Sequence, residues 1–127
     1  MNALLDTHVF LWAITADERL TEAQRRIFSD GSNGLWLSVA SVWEILIKVG
    51  LKKLPLPVPA TAYVLTQLEK NRIRLLPVRP AHLSELEMLP PLHRDPFDRM
   101  LVAQARAEAL TILSRDEAIR AYGVPVV

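Results

Sequence analysis

The stretch Ala3-Leu4-Leu5-Asp6-Thr7-His8 decides the fold of this chain. A short apolar run ends at Asp6, and a helical pattern over residues 7–14 follows without a linker. Because short apolar runs alternate with helical stretches along the rest of the chain, the pattern predicts a parallel sheet covered by helices on both faces. Ligands bind at the C-terminal strand ends of such a sheet, so Asp6 is predicted at the ligand-binding edge.

The same alternation predicts the other elements. Thr21 and Gln24 have the capping-box spacing that starts a helix, and Pro96 suits the first helical position after Asp95. Residues 52–59 form a linker, because their prolines lack the backbone donor that a helix interior needs. We predict four or five strands, at residues 3–6, 35–38, 73–77, 111–113 and, as the fifth, 124–127. Helices are predicted at residues 7–14, 21–29, 38–48, 60–71 and 80–88, and from residue 96 onward.

Length and composition limit the class of protein. A chain of 127 residues suits a single domain over residues 1–127. The absence of cysteine excludes a disulfide framework, a zinc–thiolate site and a thiol nucleophile. A formal net charge of +1 is too small to indicate a partner. No signal peptide or membrane span is recognisable, so we expect a cytoplasmic protein.

Three further acidic residues are expected at the edge that carries Asp6. Asp116 lies just past the fourth strand, Asp98 in the first turn of the helix that begins at residue 96, and Glu44 on the helix that leaves the second strand. Carboxylates this close repel one another unless a cation neutralises them. Mg²⁺ or Mn²⁺ suits such a site, because these ions prefer carboxylate and water oxygens. All four acids are therefore predicted as metal ligands and catalytic residues.

Each acid also has a structural interpretation. Asp6 and Asp116 occupy N-cap positions of the helices that follow them, and Glu44 has the capping-box spacing to Ser41. Asp98 lies where a carboxylate can reach back to the cap of the helix that begins at residue 96. For Asp95 we favour the N-cap role over metal binding. Whether Asp95 also shares in the metal site stays open.

Five stretches of the chain, taken together, resemble the PIN-domain family and, within it, the VapC-type ribonuclease toxins of toxin–antitoxin modules. The resemblance covers nearly the whole chain. Any one stretch is weak evidence, whereas five in the right order are strong. They are LDTH at 5–8 with LW at 11–12, SVWEI at 41–45 followed by Lys48, LPLP at 54–57, HRDPFDR at 93–99 and LSRD at 113–116.

The resemblance implies a PIN-like three-layer α/β/α sandwich and a Mg²⁺- or Mn²⁺-dependent endoribonuclease that cleaves RNA phosphodiester bonds with metal-activated water. It also implies a homodimer that a cognate antitoxin holds inactive. The residues that match the family's acidic quartet are Asp6, Glu44, Asp98 and Asp116. By the same resemblance, the antitoxin would insert an arginine or lysine toward these carboxylates.

An apolar groove for the antitoxin is expected beside the proline-rich linker, because the flanking helices offer more apolar residues than one buried face needs. The candidates are Val42, Ile45, Leu46, Val49, Tyr63, Val64 and Leu68.

The remaining polar candidates are weaker. Thr7 and Ser114 flank acids of the site, where they either orient them or serve as plain caps. Basic residues near the acids either hold the RNA backbone or form ordinary surface: Arg94, Arg99, Arg115 and Lys48. The histidines are too scattered for a metal cluster and none is proposed as a base: His8, His82 and His93. The tryptophans have core-compatible spacing: Trp12, Trp36 and Trp43.

Three alternative functions are compatible with parts of this sequence. A phosphoryl-transfer enzyme with Asp6 as nucleophile fits poorly, because the second acid of its D-x-D pattern is replaced by His8. A receiver domain fits poorly as well, because paired acids and a late lysine are missing. The third is a catalytically idle PIN-like module that only binds an antitoxin or RNA. The intact quartet argues against it.

Overall fold

The computed structural model describes residues 1–127 and contains four strands and seven helices. The strands are β1 (Asn2–Leu5), β2 (Gly34–Ser38), β3 (Ile73–Leu76) and β4 (Thr111–Leu113). The helices are α1 (Thr7–Ile14), α2 (Glu22–Ser29), α3 (Val39–Gly50), α4 (Ala60–Lys70), α5 (Pro80–Met88), α6 (Pro96–Glu108) and α7 (Glu117–Arg120). No helix combines the length and the apolar character that a membrane span requires.

All strand pairs are parallel, in the order β3-β2-β1-β4. The predicted fifth strand at residues 124–127 is reduced to one parallel bridge between Val126 and Ile112. Around it, the N–H of Ile112 donates to the carbonyl of Pro125 and the N–H of Val127 donates to the carbonyl of Ile112, each at 2.9 Å. The end of the chain therefore satisfies the outer edge of β4 without forming a regular strand.

The sheet separates two apolar cores, because successive residues of a strand point to opposite faces. In β1, Ala3 and Leu5 belong to the first core and Leu4 to the second. The first core is completed by side chains of α1, α3 and α4, including Phe10, Ile45 and Val64. The second is completed by α6, α7 and the connections around them, including Leu101 and Ile119. The result is the predicted α/β/α sandwich.

Local signals explain two helix starts. The Thr21 hydroxyl accepts the Gln24 N–H and the Gln24 side-chain oxygen accepts the Thr21 N–H, each at 3.1 Å, so the predicted capping box is present. Helix α3 is capped by Ser38, whose hydroxyl accepts the N–H of residue 40 at 3.0 Å. Ser41 lies inside α3, so the capping-box interpretation of Ser41 with Glu44 is wrong.

Two expectations about apolar residues are also wrong. Trp43 is 61% exposed rather than packed in the core, because Val42 and Ile45 form the buried stripe of α3 and position 43 lies on its outer side. The residues proposed to line a groove beside the linker mostly fill the first core instead. Val42, Ile45, Val64 and Leu68 are buried there, because α4 folds back onto α3.

The strand order creates the place where a site can form. The chain runs from β1 to β2 to β3 on one side of β1, and then crosses to β4 on the other side. The C-terminal ends of β1 and β4 therefore flank the topological switch point, where open α/β sheets bind ligands. Asp6 follows β1 at this point, and Ser114 follows β4.

Candidate metal centre

Asp6 is held at the switch point by its backbone and its side chain. Its N–H donates to the carbonyl of Leu113 at 3.0 Å, and its Oδ1 accepts the N–H of Val9 at 2.7 Å, which caps α1. The residue is 5% exposed, and the ion pairs of the cluster involve the other acids. A buried carboxylate with no cationic partner is costly, so this position favours a bound cation.

Glu44 reaches the same edge from α3. Its Oε1 accepts a 2.6 Å hydrogen bond from the Thr7 hydroxyl, and its Oε2 lies 3.0 Å from Nζ of Lys48. Thr7 and Glu44 are both buried. Two of the weaker candidates, Thr7 and Lys48, thus contact a carboxylate of the quartet directly.

A histidine bridges the other two acids. Nε2 of His93 lies 3.0 Å from Oδ2 of Asp98 and 3.1 Å from Oδ2 of Asp116. Ligand atoms of these three residues all lie within 4.8 Å of one another. The prediction that the histidines are too scattered to join a cluster is therefore wrong for His93. It holds for His82, which is buried, accepts a backbone N–H with Nδ1 and lies 2.9 Å through Nε2 from Glu108, an acid outside the quartet.

The loop that carries His93 is held from two sides. The Tyr122 hydroxyl accepts the His93 N–H at 2.9 Å and also a hydrogen bond from Nη1 of Arg99 at 3.0 Å. Arg99 Nη1 donates as well to the carbonyl of Pro90 at 2.9 Å. Within the loop, the Asp95 N–H donates to Nδ1 of His93 at 3.1 Å. The position of the imidazole is thus set by its own loop, by α6 and by the turn that follows α7.

Two acids near His93 also cap helices. Asp95 Oδ1 accepts the N–H of Phe97 at 2.8 Å, so Asp95 caps α6 as predicted. Asp116 Oδ1 accepts the N–H of Ala118 at 2.9 Å and caps α7, while its Oδ2 faces His93. One oxygen of Asp116 is therefore structural and the other faces the cluster.

Burial raises the pKa of Asp6, against the opposing effect of the Ser114 hydroxyl. Burial also raises the pKa of Asp98 to about 7; the negative charge of Asp95 adds to the rise, and His93 opposes it. Both carboxylates therefore hold a proton more readily than an ordinary aspartate, because burial disfavours the ionised form.

The pKa values of Asp116 and His93 shift for a different reason, because these two residues form a hydrogen bond with each other. For Asp116, burial acts to raise the pKa, but the hydrogen bonds from His93 and from the Ala118 N–H outweigh it and the pKa is lowered. The hydrogen bond with Asp116 raises the pKa of His93, and burial opposes this. Asp98 and Asp116 therefore have pKa values shifted in opposite directions, although both contact one imidazole.

The residues present fit a hard divalent cation. The anionic side chains offer only carboxylate oxygens, which Mg²⁺ and Mn²⁺ prefer. A cation bound by Asp6 and Asp98 would stabilise their ionised forms and so oppose the effect of burial on both pKa values. The residues that would hold it are Asp6, Glu44, Asp98 and Asp116.

The remaining polar candidates differ in whether their side chains are already engaged within the protein. Ser114 is buried, and its hydroxyl accepts the Asp116 N–H at 3.0 Å. Arg99 clamps the His93 loop, and Arg115 donates to a carbonyl of the α1–α2 connection at 2.6 Å. Arg94 is exposed, and its side chain makes no hydrogen bond or ion pair. It is the arginine of this set that is free to contact a ligand.

A groove of about 460 Å³ opens between α1 and the proline-rich linker, and its lining includes Lys48, the ion-pair partner of Glu44. The groove predicted from the sequence does not form from the residues proposed to line it, because most of them are buried in the first core. The apolar lining comes from both walls: Leu11, Trp12, Leu54 and Leu56. The basic residues of the groove are Arg19, Lys48 and Lys53.

Comparison with known proteins identifies relatives. The family model of the PIN domain matches residues 3–125. Ribonuclease VapC16 of Mycobacterium tuberculosis (strain ATCC 25618 / H37Rv) is 41% identical over 60 residues, which are 47% of this chain and 43% of that protein. The chain therefore matches less than half the length of this relative.

Two solved structures have the same fold. VapBC2 from Rickettsia felis, bound to a DNA fragment from its promoter, matches with a TM-score of 0.75 and 14% identity over 100% of this chain and 98% of that chain. DNA-bound VapBC from Salmonella typhimurium matches with a TM-score of 0.75 and 16% identity over 100% of this chain and 97% of that chain. At these identities the likeness extends to the fold alone.

Proposed function

The chain belongs to the PIN domain family, and from this premise we propose that it is a metal-dependent endoribonuclease, the toxin of a toxin–antitoxin system. The observation that carries the proposal is the set of four carboxylates at the switch point between β1 and β4: Asp6, Glu44, Asp98 and Asp116. The likeness to Ribonuclease VapC16 supports RNA as the substrate. We place this activity in one cytoplasmic nuclease domain over residues 1–127.

In this proposal the four carboxylates hold one or two ions. When bound, Mg²⁺ or Mn²⁺ supplies Lewis-acid activation of water and neutralises charge on the scissile phosphodiester. Thr7 keeps the Glu44 carboxylate oriented through its hydrogen bond. Arg94, which is exposed, contacts RNA phosphates. The buried Ser114 hydroxyl keeps the connection after β4 close to Asp6.

Binding without catalysis is the alternative function. One observation favours it: the Lys48 amine already neutralises Glu44 at 3.0 Å, which leaves less anionic charge for an ion. In that case the chain would be a PIN-like module that binds an antitoxin or RNA and cleaves nothing.

Incubation of total cellular RNA with the purified protein tests the enzymatic proposal, with Mg²⁺ in one arm and a chelator in the other. New RNA ends in the Mg²⁺ arm alone, mapped by sequencing, support it. Intact RNA in both arms, with Asp6→Asn protein as the matched blank, supports the binding module instead.

We propose that the antitoxin occupies the groove between α1 and the linker. The solved VapBC structures support a partner protein, and the apolar walls of the groove suit a peptide segment. Lys48 lines this groove and pairs with Glu44, which supports the approach of a cationic group to the carboxylates from this side. Co-expression with a small neighbouring gene product tests this: Leu54→Glu should abolish complex formation, whereas Val58→Glu, on the exposed part of the linker, should not.

The homodimer is also a proposal. A groove of about 540 Å³ on α3, α5 and α6 is lined almost entirely by apolar side chains, and the exposed Trp43 contacts Phe97 edge to face at 5.3 Å. A contiguous apolar surface of this kind is typical of protein–protein contacts. We propose that a second copy of the chain covers it.

A further inference from the structure

The contacts of His93 determine where its proton lies. Nδ1 accepts the backbone N–H of Asp95 at 3.1 Å. A ring nitrogen that accepts a hydrogen bond presents its lone pair, so the proton of the neutral imidazole is on Nε2. Nε2 is also the atom that lies 3.0 Å from Asp98 and 3.1 Å from Asp116, and an ionised carboxylate only accepts hydrogen bonds. The two sides of the ring therefore require the same tautomer.

This tautomer is incompatible with a bond from His93 to a metal ion. Coordination through Nε2 needs the lone pair of that atom, which forces the proton onto Nδ1. A protonated Nδ1 would face the Asp95 N–H, donor against donor. Turning the ring away would break the hydrogen bond from the Asp95 N–H to Nδ1 and leave that donor without its acceptor. His93 therefore donates a hydrogen bond to the carboxylates and does not coordinate the ion.

We propose that His93 is a positioning residue: a neutral Nε2–H donor, shared between Asp98 and Asp116, that sets the separation of these carboxylates for a divalent ion without binding the ion. This inference rests on the proposed function of the acidic cluster. Asp98 comes from α6 and Asp116 from the start of α7, so the shared donor joins carboxylates of two different elements. Without it the like charges repel, and the 41% exposed side chain of Asp116 turns toward solvent.

Nuclear magnetic resonance of protein with ¹⁵N-labelled histidine tests the tautomer directly. Spectra recorded at about pH 8 show which ring nitrogen carries the proton, and the His93 signals are those missing from His93→Gln protein. We expect Nε2 protonated and Nδ1 unprotonated, both before and after addition of Mg²⁺. Loss of the Nε2 proton on Mg²⁺ addition, or a proton on Nδ1 before it, overturns the inference.

Two variants test the positioning role through Mn²⁺ binding, followed by the paramagnetic resonance of unbound Mn²⁺. His93→Phe keeps a ring but removes the donor, and should weaken binding about 10–100-fold, the usual effect of losing a partner that orients a ligand. His93→Gln places an amide N–H near the position of Nε2, and should stay within about threefold of the wild type. Equal weakening in both variants would indicate a direct ligand and overturn the inference, as would Mn²⁺ binding by His93→Phe at wild-type strength.

The two hypotheses fail in distinguishable ways. If the wild-type protein binds no Mn²⁺, the proposed function is wrong, and the positioning role, which depends on it, is wrong as well. If the wild-type protein binds Mn²⁺ and cleaves RNA while His93→Phe matches it in Mn²⁺ binding, only the positioning role fails. Should His93→Phe not fold, the tautomer measured in wild-type protein still decides between a donor and a ligand.

Discussion

Thr7 Oγ1 and Glu44 Oε1 are joined by a 2.6 Å hydrogen bond in the interior, although 37 residues separate them along the chain. The bond connects the first residue of α1, next to Asp6, with the middle of α3. The orientation of the Glu44 carboxylate therefore depends on the same helix start that positions Asp6.

Thr7→Val should lower both stability and cleavage. Valine keeps the volume but leaves Glu44 Oε1 without its donor, which costs about 1–3 kcal/mol for a buried polar atom. Thr7→Ser is the control, because it keeps the hydroxyl. Thermal unfolding and RNA cleavage measured on both variants check the expectation, and equal behaviour of valine and serine would contradict it.

Asp6→Asn, Glu44→Gln and Asp98→Asn should each reduce cleavage ~10²-fold or more, because each removes an anionic oxygen that an ion needs. The fold should persist, since asparagine at position 6 keeps an oxygen for the Val9 N–H. Glu69→Gln, an exposed acid on α4, is the matched control and should cleave normally. Undiminished cleavage by Asp6→Asn protein would sink the assignment of the quartet.

Asp95 should act mainly as a cap. Asp95→Asn should change stability little, whereas Asp95→Ala should cost about 1 kcal/mol by losing the acceptor for the Phe97 N–H. Cleavage should survive both substitutions. Melting curves and cleavage rates measured side by side check this, and loss of metal binding in Asp95→Asn would show that Asp95 belongs to the metal site.

Asp116→Asn should behave in the opposite way. Asparagine still caps α7 through the Ala118 N–H, but it lacks the charge that faces His93 and the ion. The lowered pKa of Asp116 means that its ionised form stabilises the fold above its ordinary pKa and that this contribution is lost as the pH falls. A small loss of stability at neutral pH and a higher Mg²⁺ requirement are therefore expected. Full activity at low Mg²⁺ would exclude Asp116 from the site.

Asp98 should make metal binding depend on pH. Burial raises its pKa from 3.8 to about 7, so its protonated form favours the folded state. This contribution is complete below pH 3.8 and is lost as the pH rises through about 7. Without divalent ions, wild-type protein should therefore lose more stability across this window than Asp98→Asn protein. Mg²⁺ needs the ionised carboxylate, so it should raise the wild-type Tm more at about pH 8 than at about pH 6. Equal gains at both pH values would contradict the prediction.

Trp43→Glu should convert a homodimer into a monomer, because it places a charge in the apolar groove of α3, α5 and α6. Val58→Glu is the control, since Val58 is 79% exposed on the linker, outside that groove. Light scattering coupled to gel filtration gives the mass of each variant. A wild-type protein that runs as a monomer, or an unchanged dimer in Trp43→Glu, contradicts the proposed surface.

Local features of the fold were predictable from the sequence. The strands at Leu35 and Ile73, the capping box of Thr21 and the N-cap of Asp95 depend on apolar spacing and on donors and acceptors within a few residues of each other. Such short-range interactions act wherever the chain goes afterwards. The acids at positions 6 and 116 were placed at one edge for a related reason, since parallel strands bring their C-terminal ends together.

Other features needed the tertiary structure. His93 approaches Asp116 across 23 residues and Thr7 meets Glu44 across 37, and no local pattern specifies how loops and helices pack over such separations. The exposure of Trp43 was likewise decided by which side of α3 the sheet covers. The sequence alone thus determined the elements and which strand ends carry carboxylates, because these follow from short-range periodicity and capping. Only the tertiary structure decided which hydrogen-bond donor each carboxylate contacts. The reason is that these contacts join residues far apart in the sequence, and they form only when the helices pack against the sheet.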